Sequence, residues 1–318
     1  MQWISGSLLA VALACQPALA QSRGDYPSQP VRIVVPFSAG SASDTVARVL
    51  SEELRARFGP IVVDNKPGAN GIIGASYVAR AAADGHTLIL TSSATHSGIG
   101  ALYKQPGYDP IADFAHISRI ATIPMVLVAR PGAPFKTAQE LAAQARQTRL
   151  RYGYGSGSAQ IAGATFSTIA DAPSDAIPYK SQPPAVTDLL GGQIDYVLAD
   201  ASVVTSFLQG GRLGGLAITG ARRLPELPAV PTMAEAGYPD FDLVVWVGLA
   251  APAKTPAPIV AQWNDEIRRA LQRPGVIAKL SRLGMVPSPN TVDEHRAFTV
   301  AQRDIWVSRA TKAGVEQQ

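Results

Sequence analysis

Two short loops carry the groups best suited to gripping a small anion. The first is Pro36-Phe37-Ser38-Ala39-Gly40-Ser41-Ala42-Ser43-Asp44, which follows the apolar run Val31 to Val35 and precedes a helical pattern. The second is Gly155-Ser156-Gly157-Ser158, between the run Arg151 to Tyr154 and a second helical pattern. Small residues let a backbone approach a ligand closely, and the free N–H groups and dipole at a helix start favour negative charge. In open α/β sheets such loops lie at the carboxyl ends of strands, where ligands bind. Either loop alone is equally well read as a tight turn with a serine cap. The pair favours two anion-facing surfaces opposed across a cleft.

Further candidates end other strand-like runs. Ser93, Thr95 and His96 lie in a hydroxyl-rich loop from Thr91 to His96, suited to orienting a small polar ligand. Tyr179 and Ser181 flank Lys180, which fits an ordinary solvated lysine better than an anion contact. Asp200 follows Tyr196 to Ala199 and would meet a hydroxyl or an ammonium, or else cap the next helix. Asp44 fits a cap or loop brace better than a ligand contact, because a carboxylate repels an anion. His86, His116 and His295 lie apart in the sequence and read as structural.

Signatures of catalysis are missing. The chain has no G-x-S-x-G elbow, no G-x-x-x-x-G-K-[ST] loop and no H-E-x-x-H. Gly153, Gly155 and Gly157 alternate without making G-x-G-x-x-G. The expectation is therefore no catalytic residue, no metal and no cofactor.

The elements needed to position these loops alternate along the chain. Val31 to Val35, Ile61 to Val63 and His86 to Thr91 read as strands, with Val46, Val49, Leu50, Leu54 and Phe58 at helical spacing and a helix over Ile72 to Ala82. The pattern restarts with strands at Met125 to Ala129, Arg151 to Tyr154, Ala176 to Tyr179, Ile194 to Leu198 and Leu216 to Thr219. Helices are expected between them, one opened by a Thr137/Glu140 capping box. Leu243 to Ala250 reads as a crossing strand, Thr255-Pro256 as the cap and first residue of a helix, and Thr291 with Glu294 as the cap of the last helix. Near-continuous apolar strands between helices argue for α/β architecture in two sets, each a mixed or parallel sheet flanked by helices, with the ligand cleft between them.

Composition agrees with a packed core: 47% of the 318 residues are hydrophobic and 16% charged. With 28 Lys plus Arg against 24 Asp plus Glu, net charge is only +4. No basic cluster longer than a pair occurs, so nucleic acid is not expected as a partner. Residues 1 to 22 carry no charged side chain, and Leu8 to Cys15 leads to Ala18-Leu19-Ala20, which reads as a signal-peptidase site. Cleavage after Ala20 and export to the periplasm are expected. A membrane anchor and lipidation at Cys15 are the alternatives. Cys15 is the one cysteine, so a cleaved chain has no disulfide and no thiol chemistry.

The same residues resemble the Bug family, the TctC-like extracytoplasmic solute receptors of tripartite tricarboxylate transporters. The resemblance runs from about Tyr26 to Lys312. It rests on Tyr26-Pro27-x-x-Pro30-Val31, Val34-Val35-Pro36-Phe37, Asp64-Asn65-Lys66-Pro67-Gly68-Ala69-Asn70-Gly71, Asp84-Gly85-His86-Thr87-Leu88, Tyr108-Asp109-Pro110 and Asp113-Phe114. It continues through Pro178-Tyr179-Lys180, Asp188 to Asp195 and Pro228-x-x-Pro231-Thr232-x-x-Glu235-x-Gly237.

The resemblance implies a two-lobed, type II-like periplasmic binding protein without catalytic activity, closing on one ligand. It implies that the loops Phe37 to Asp44 and Gly155 to Ser158 grip a carboxylate, largely through backbone groups and water. Ligands implied are di- and tricarboxylates, acidic amino acids and aromatic carboxylates; membrane permease subunits are the implied partners, and a monomer is expected. Domain one is expected over residues 26–122 and 222–318, and domain two over 123–221. Departures fall at the loops: Ser41 and Ser181 stand where the family usually has glycine, and Gln160-Ile161-Ala162-Gly163-Ala164 where it often has His-Leu-Ala-Gly-Glu. They suggest a different ligand or a degraded site. A hydrolase or isomerase on the same scaffold, or a receptor that signals to a membrane sensor, are the competing functions.

Overall fold

The computed structural model describes residues 26–241 and 243–318. The expected leader and Cys15 lie outside the described residues.

Valine- and isoleucine-rich runs supply the sheet centres, where branched side chains pack well on a pleated, covered surface. The first lobe begins with β1 (Val31–Val35), α1 (Ala42–Phe58), β2 (Ile61–Asn65), α2 (Ile72–Ala79), β3 (Thr87–Ser92) and the short α3 (Ile99–Leu102). β1 pairs in parallel with both β2 and β3. On α1, Val46, Leu50, Leu54 and Phe58 recur every four residues and are buried. Gly59, at φ +66°, ends that helix. The Phe58 ring stacks on Trp263 at 3.8 Å, so the base of α1 is tied to the C-terminal region.

The second lobe follows β4 (Phe114–Ala129) and contains α4 (Ala138–Gln147), β5 (Leu150–Tyr154), α5 (Gly157–Ile169), β6 (Ser174–Pro178), α6 (Gln182–Leu190), β7 (Tyr196–Asp200), α7 (Ala201–Gln209) and β8 (Gly214–Ile218). β5 pairs in parallel with β6 and β7. The chain then returns through β9 (Val244–Pro252), α8 (Ala257–Ala270), α9 (Pro274–Ser281), the two-residue β10 (Val286–Pro287) and α10 (Val292–Lys312). The strand order is β2-β1-β3-β9-β4-β7-β5-β6, with β8 and β10 also pairing β4.

β4 joins the lobes. Up to Pro124 it pairs antiparallel with β9; from Met125 it pairs with β7 and from Val126 with β8. The change of partner falls between two consecutive residues. β4 also corrects the sequence reading, which gave a strand only to Met125–Ala129. Its earlier half carries Ser118, Arg119 and Thr122, whose polarity hides the strand; Ser118 Oγ and the Arg119 amide bond to Asn290 O and Oδ1. α2 stops at Ala79, short of the expected Ala82. Thr255 is not a cap: Pro256 occupies that position and the Thr255 hydroxyl is buried without a partner. Thr291 and Glu294 form the expected capping box on α10. Thr137 caps α4 through the Glu140 amide, but the Glu140 carboxylate accepts from the Lys136 amide, so the expected reciprocal bond is not made. Among the described residues, no helix is long and apolar enough to cross a membrane.

Candidate functional site

Helix starts from both lobes converge on one small cavity. The first lobe lines it with Phe37, Ser41, Ala42, Ser43, Ser92, Ala94, Val245 and Val247; the second supplies Gly155, Ser156, Ser158, Gln182 and Asp200. Ser41 and Ser156 are the N-caps of α1 and α5, Gln182 opens α6 and Asp200 precedes α7. Four helix N-termini thus contribute wall to one small volume, each with the positive end of its dipole. α6 offers fewer N–H groups than the others, because Pro183 and Pro184 follow Gln182. No lysine, arginine or histidine lines it.

The cap geometry explains how the loops hold their shape. Ser41 Oγ accepts from the Asp44 amide at 3.3 Å, and Ser156 Oγ accepts from the Ala159 amide at 3.2 Å. Ser158 Oγ lies 3.3 Å from Ser156 Oγ. Gly155 must be glycine: a Cβ there would overlap the Ser181 carbonyl and the Gln182 amide nitrogen. Gly40, at φ +79°, lies against Pro183 of the other lobe.

Asp44 faces inward to its own loop. Its carboxylate accepts from the Gly40 amide at 2.9 Å, Arg48 Nε at 2.9 Å, Arg48 Nη2 at 3.0 Å and Asn65 Nδ2 at 3.0 Å. Burial alone would raise its pKa, but these hydrogen bonds hold it below the ordinary value.

Six of the residues singled out from the sequence line the cavity: Phe37, Ser41, Gly155, Ser156, Ser158 and Asp200. Ser38, Ala39, Gly40 and Asp44 shape the first loop without lining it, and Gly157 is the first residue of α5. Tyr179 points elsewhere, its hydroxyl donating to Asp188 Oδ2 at 2.8 Å. Burial, then the Asp188 carboxylate, pushes that phenol up to about 12. Ser181 is fully buried beside the cavity, its hydroxyl unpartnered. Its φ of −166° and that of Ser41, −69°, are unstrained, so neither serine needs a glycine's freedom.

Ser93, Thr95 and His96 form a π-helical turn over Ser93–Ser97, wholly buried. Ser93 Oγ accepts from the Trp246 amide at 3.1 Å, and Thr95 Oγ1 lies 2.9 Å from His96 Nδ1. The His96 ring packs on Phe114 at 4.7 Å and His116 at 5.9 Å; His116 in turn lies 5.7 Å from His295. Three histidines distant in sequence therefore form one buried row behind the site. Among the described residues no such group has the arrangement to hold a metal.

Sequence reasoning missed Gln182, Val245 and Val247. Gln182 had a usable signal, as the residue after a strand-turn serine at a helix start; the two valines, in a crossing strand, had none.

Asp200 is 7% exposed and its buried Oδ1 has no partner, while its amide donates to Gln182 Oε1 at 2.8 Å. Burial, partly offset by hydrogen bonding with the Gln182 side chain, pushes its pKa up to about 7.

A sequence model described as the tripartite tricarboxylate transporter family receptor matches residues 46–307. Protein BugT of Bordetella pertussis is 33% identical, the match covering 98% of this chain and 97% of BugT. The solved periplasmic binding protein BugD superimposes with TM-score 0.88 at 34% identity, over 92% of this chain and all of BugD. R. palustris Rpa4515, solved with adipate, gives TM-score 0.90 at 31% identity, over 92% of this chain and all of Rpa4515. The chain belongs to the tripartite tricarboxylate transporter receptor family.

Proposed function

We propose that this protein is an exported receptor that captures one small organic carboxylate between its lobes and presents it to membrane permease subunits. The family is one of solute-binding receptors. The observation carrying the reading is the convergence of four helix starts on a cavity with no cationic side chain. Such a wall suits an anion held by oriented N–H groups and hydroxyls instead of by an ion pair. The adipate on Rpa4515, a dicarboxylate, supports the ligand class.

In this proposal Phe37, Ser41, Gly155, Ser156, Ser158 and Asp200 face the ligand, and Asp44 and Gly40 keep the first loop in shape. The lobes are residues 26–122 with 222–318, and 123–221, moving about the crossings in β4 and before β9. Cleavage after Ala20 releases the chain to the periplasm. A thermal-shift panel of mono-, di- and tricarboxylates, amino acids and aromatic acids tests this on residues 21–318. A ligand at 100 times its Kd stabilises by about 2.7 kcal/mol, so one class should raise Tm by a few degrees. No shift with any acid would overturn the reading.

A further inference from the structure

Asp200 is anomalous in a cavity built for an anion. It lines the same small volume as the helix starts, is more than nine-tenths buried, and leaves Oδ1 without a hydrogen-bond partner. Gln182 from α6 bonds its backbone there, Oε1 accepting from the Asp200 amide at 2.8 Å. No other ionisable side chain lines the cavity. An anionic ligand made only of acceptors would confront this carboxylate with a like charge and no donor. A ligand carrying a positive donor beside its carboxylate would satisfy both walls at once, its carboxylate on the helix starts and its donor on Oδ1.

We infer that the ligand is an amino acid whose ammonium group is read by Asp200, which thereby discriminates against acids of the same skeleton that lack the amine. The inference rests on the receptor reading above and narrows it. The remaining wall, Phe37, Ala94, Val245 and Val247, is apolar and fits the ligand's carbon skeleton.

The proton balance gives the two ligand types opposite signs. An amino acid pairs with ionised Asp200, so its affinity weakens as pH falls below about 7, where Asp200 takes up a proton. A plain diacid requires protonated Asp200, so its affinity weakens as pH rises above about 7. Each dependence approaches tenfold per pH unit for a single linked proton.

The test compares aspartate, malate and succinate, which share a carbon skeleton, by calorimetry at pH 6, 7 and 8. The matching trio of amino, hydroxy and plain acid replaces them if the panel selects another skeleton. Expected is at least tenfold preference for the amino acid at pH 8, weakening toward pH 6. Asp200→Asn should lose at least tenfold for the amino acid and bind the plain acid as well as or better than the wild type, which also shows that the variant is folded. Equal affinity for the plain or hydroxy acid at pH 8, or an unchanged preference in Asp200→Asn, overturns the inference while the receptor reading stands. Absence of binding by every acid overturns both.

Discussion

Asn65 Nδ2 donates to Asp44 Oδ1 at 3.0 Å and to the Phe37 carbonyl at 3.0 Å. One amide at the end of β2 thereby clamps the two ends of the first loop. Asn65 serves the site through that clamp without lining the cavity, whereas the neighbouring Asp64 accepts from Arg32 Nη1 at 2.9 Å and takes no part in it. Asn65→Ala should cost on the order of 2 kcal/mol, because it leaves a buried acceptor short of a donor. Ligand affinity should fall with it. Urea unfolding and calorimetry of the same variant check both effects, and unchanged affinity would separate the clamp from the site.

Gly155→Ala should be far more damaging than its chemistry suggests. The added Cβ meets the backbone of Ser181 and Gln182, which cannot rotate away, so the starts of α5 and α6 must separate. A loss above about 3 kcal/mol, or a failure to bind, is expected. Gly100→Ala is the control: open space surrounds that position, and the change should be neutral or stabilising by up to about 1 kcal/mol. Similar losses in both variants would remove the special status of Gly155.

The two serines that depart from the family pattern should behave differently. Ser41 lines the cavity and caps α1; Ser181 caps no amide and stays beside the cavity. Ser41→Gly should cost only a few tenths of a kcal/mol, yet change ligand affinity. Ser181→Gly should leave affinity within about twofold, a factor worth roughly 0.4 kcal/mol. Parallel titrations decide, and a larger effect at Ser181 would reverse the assignment.

The histidine row makes acid a specific threat. Burial, partly offset by the Ile111 backbone, lowers the His116 pKa to about 4, and burial drives His96 and His295 well below 6.5. The unfolded chain therefore binds more protons than the folded one below pH 6.5. Stability from these groups is full above pH 6.5 and falls as pH drops toward 4. His116 alone accounts for roughly 3 kcal/mol across that window. Urea midpoints at pH 7.5, 6 and 5 should decline steadily, and His116→Phe should flatten the curve. A flat wild-type curve would contradict the row's neutral state.

Local signals were legible and long-range ones were not. The caps at Ser41, Ser156, Thr137 and Thr291 follow from residue type one or three positions ahead of a helix pattern. The alternation of apolar runs with helical spacing gave the α/β class. The full length of β4 was hidden because its partners, β9 and Asn290, come from the distant C-terminal region. The histidine row was hidden for the same reason, since His295 arrives on α10. Val245 and Val247 read as core valines, and only the packing of β9 turns them toward the cavity.

The most direct test of the receptor account is equilibrium dialysis of residues 21–318 against the labelled acid that the thermal panel selects, followed by recovery of the acid. The account predicts saturation at one equivalent per chain, with the acid recovered unchanged. Absence of saturable binding, or recovery of a converted product, would contradict it.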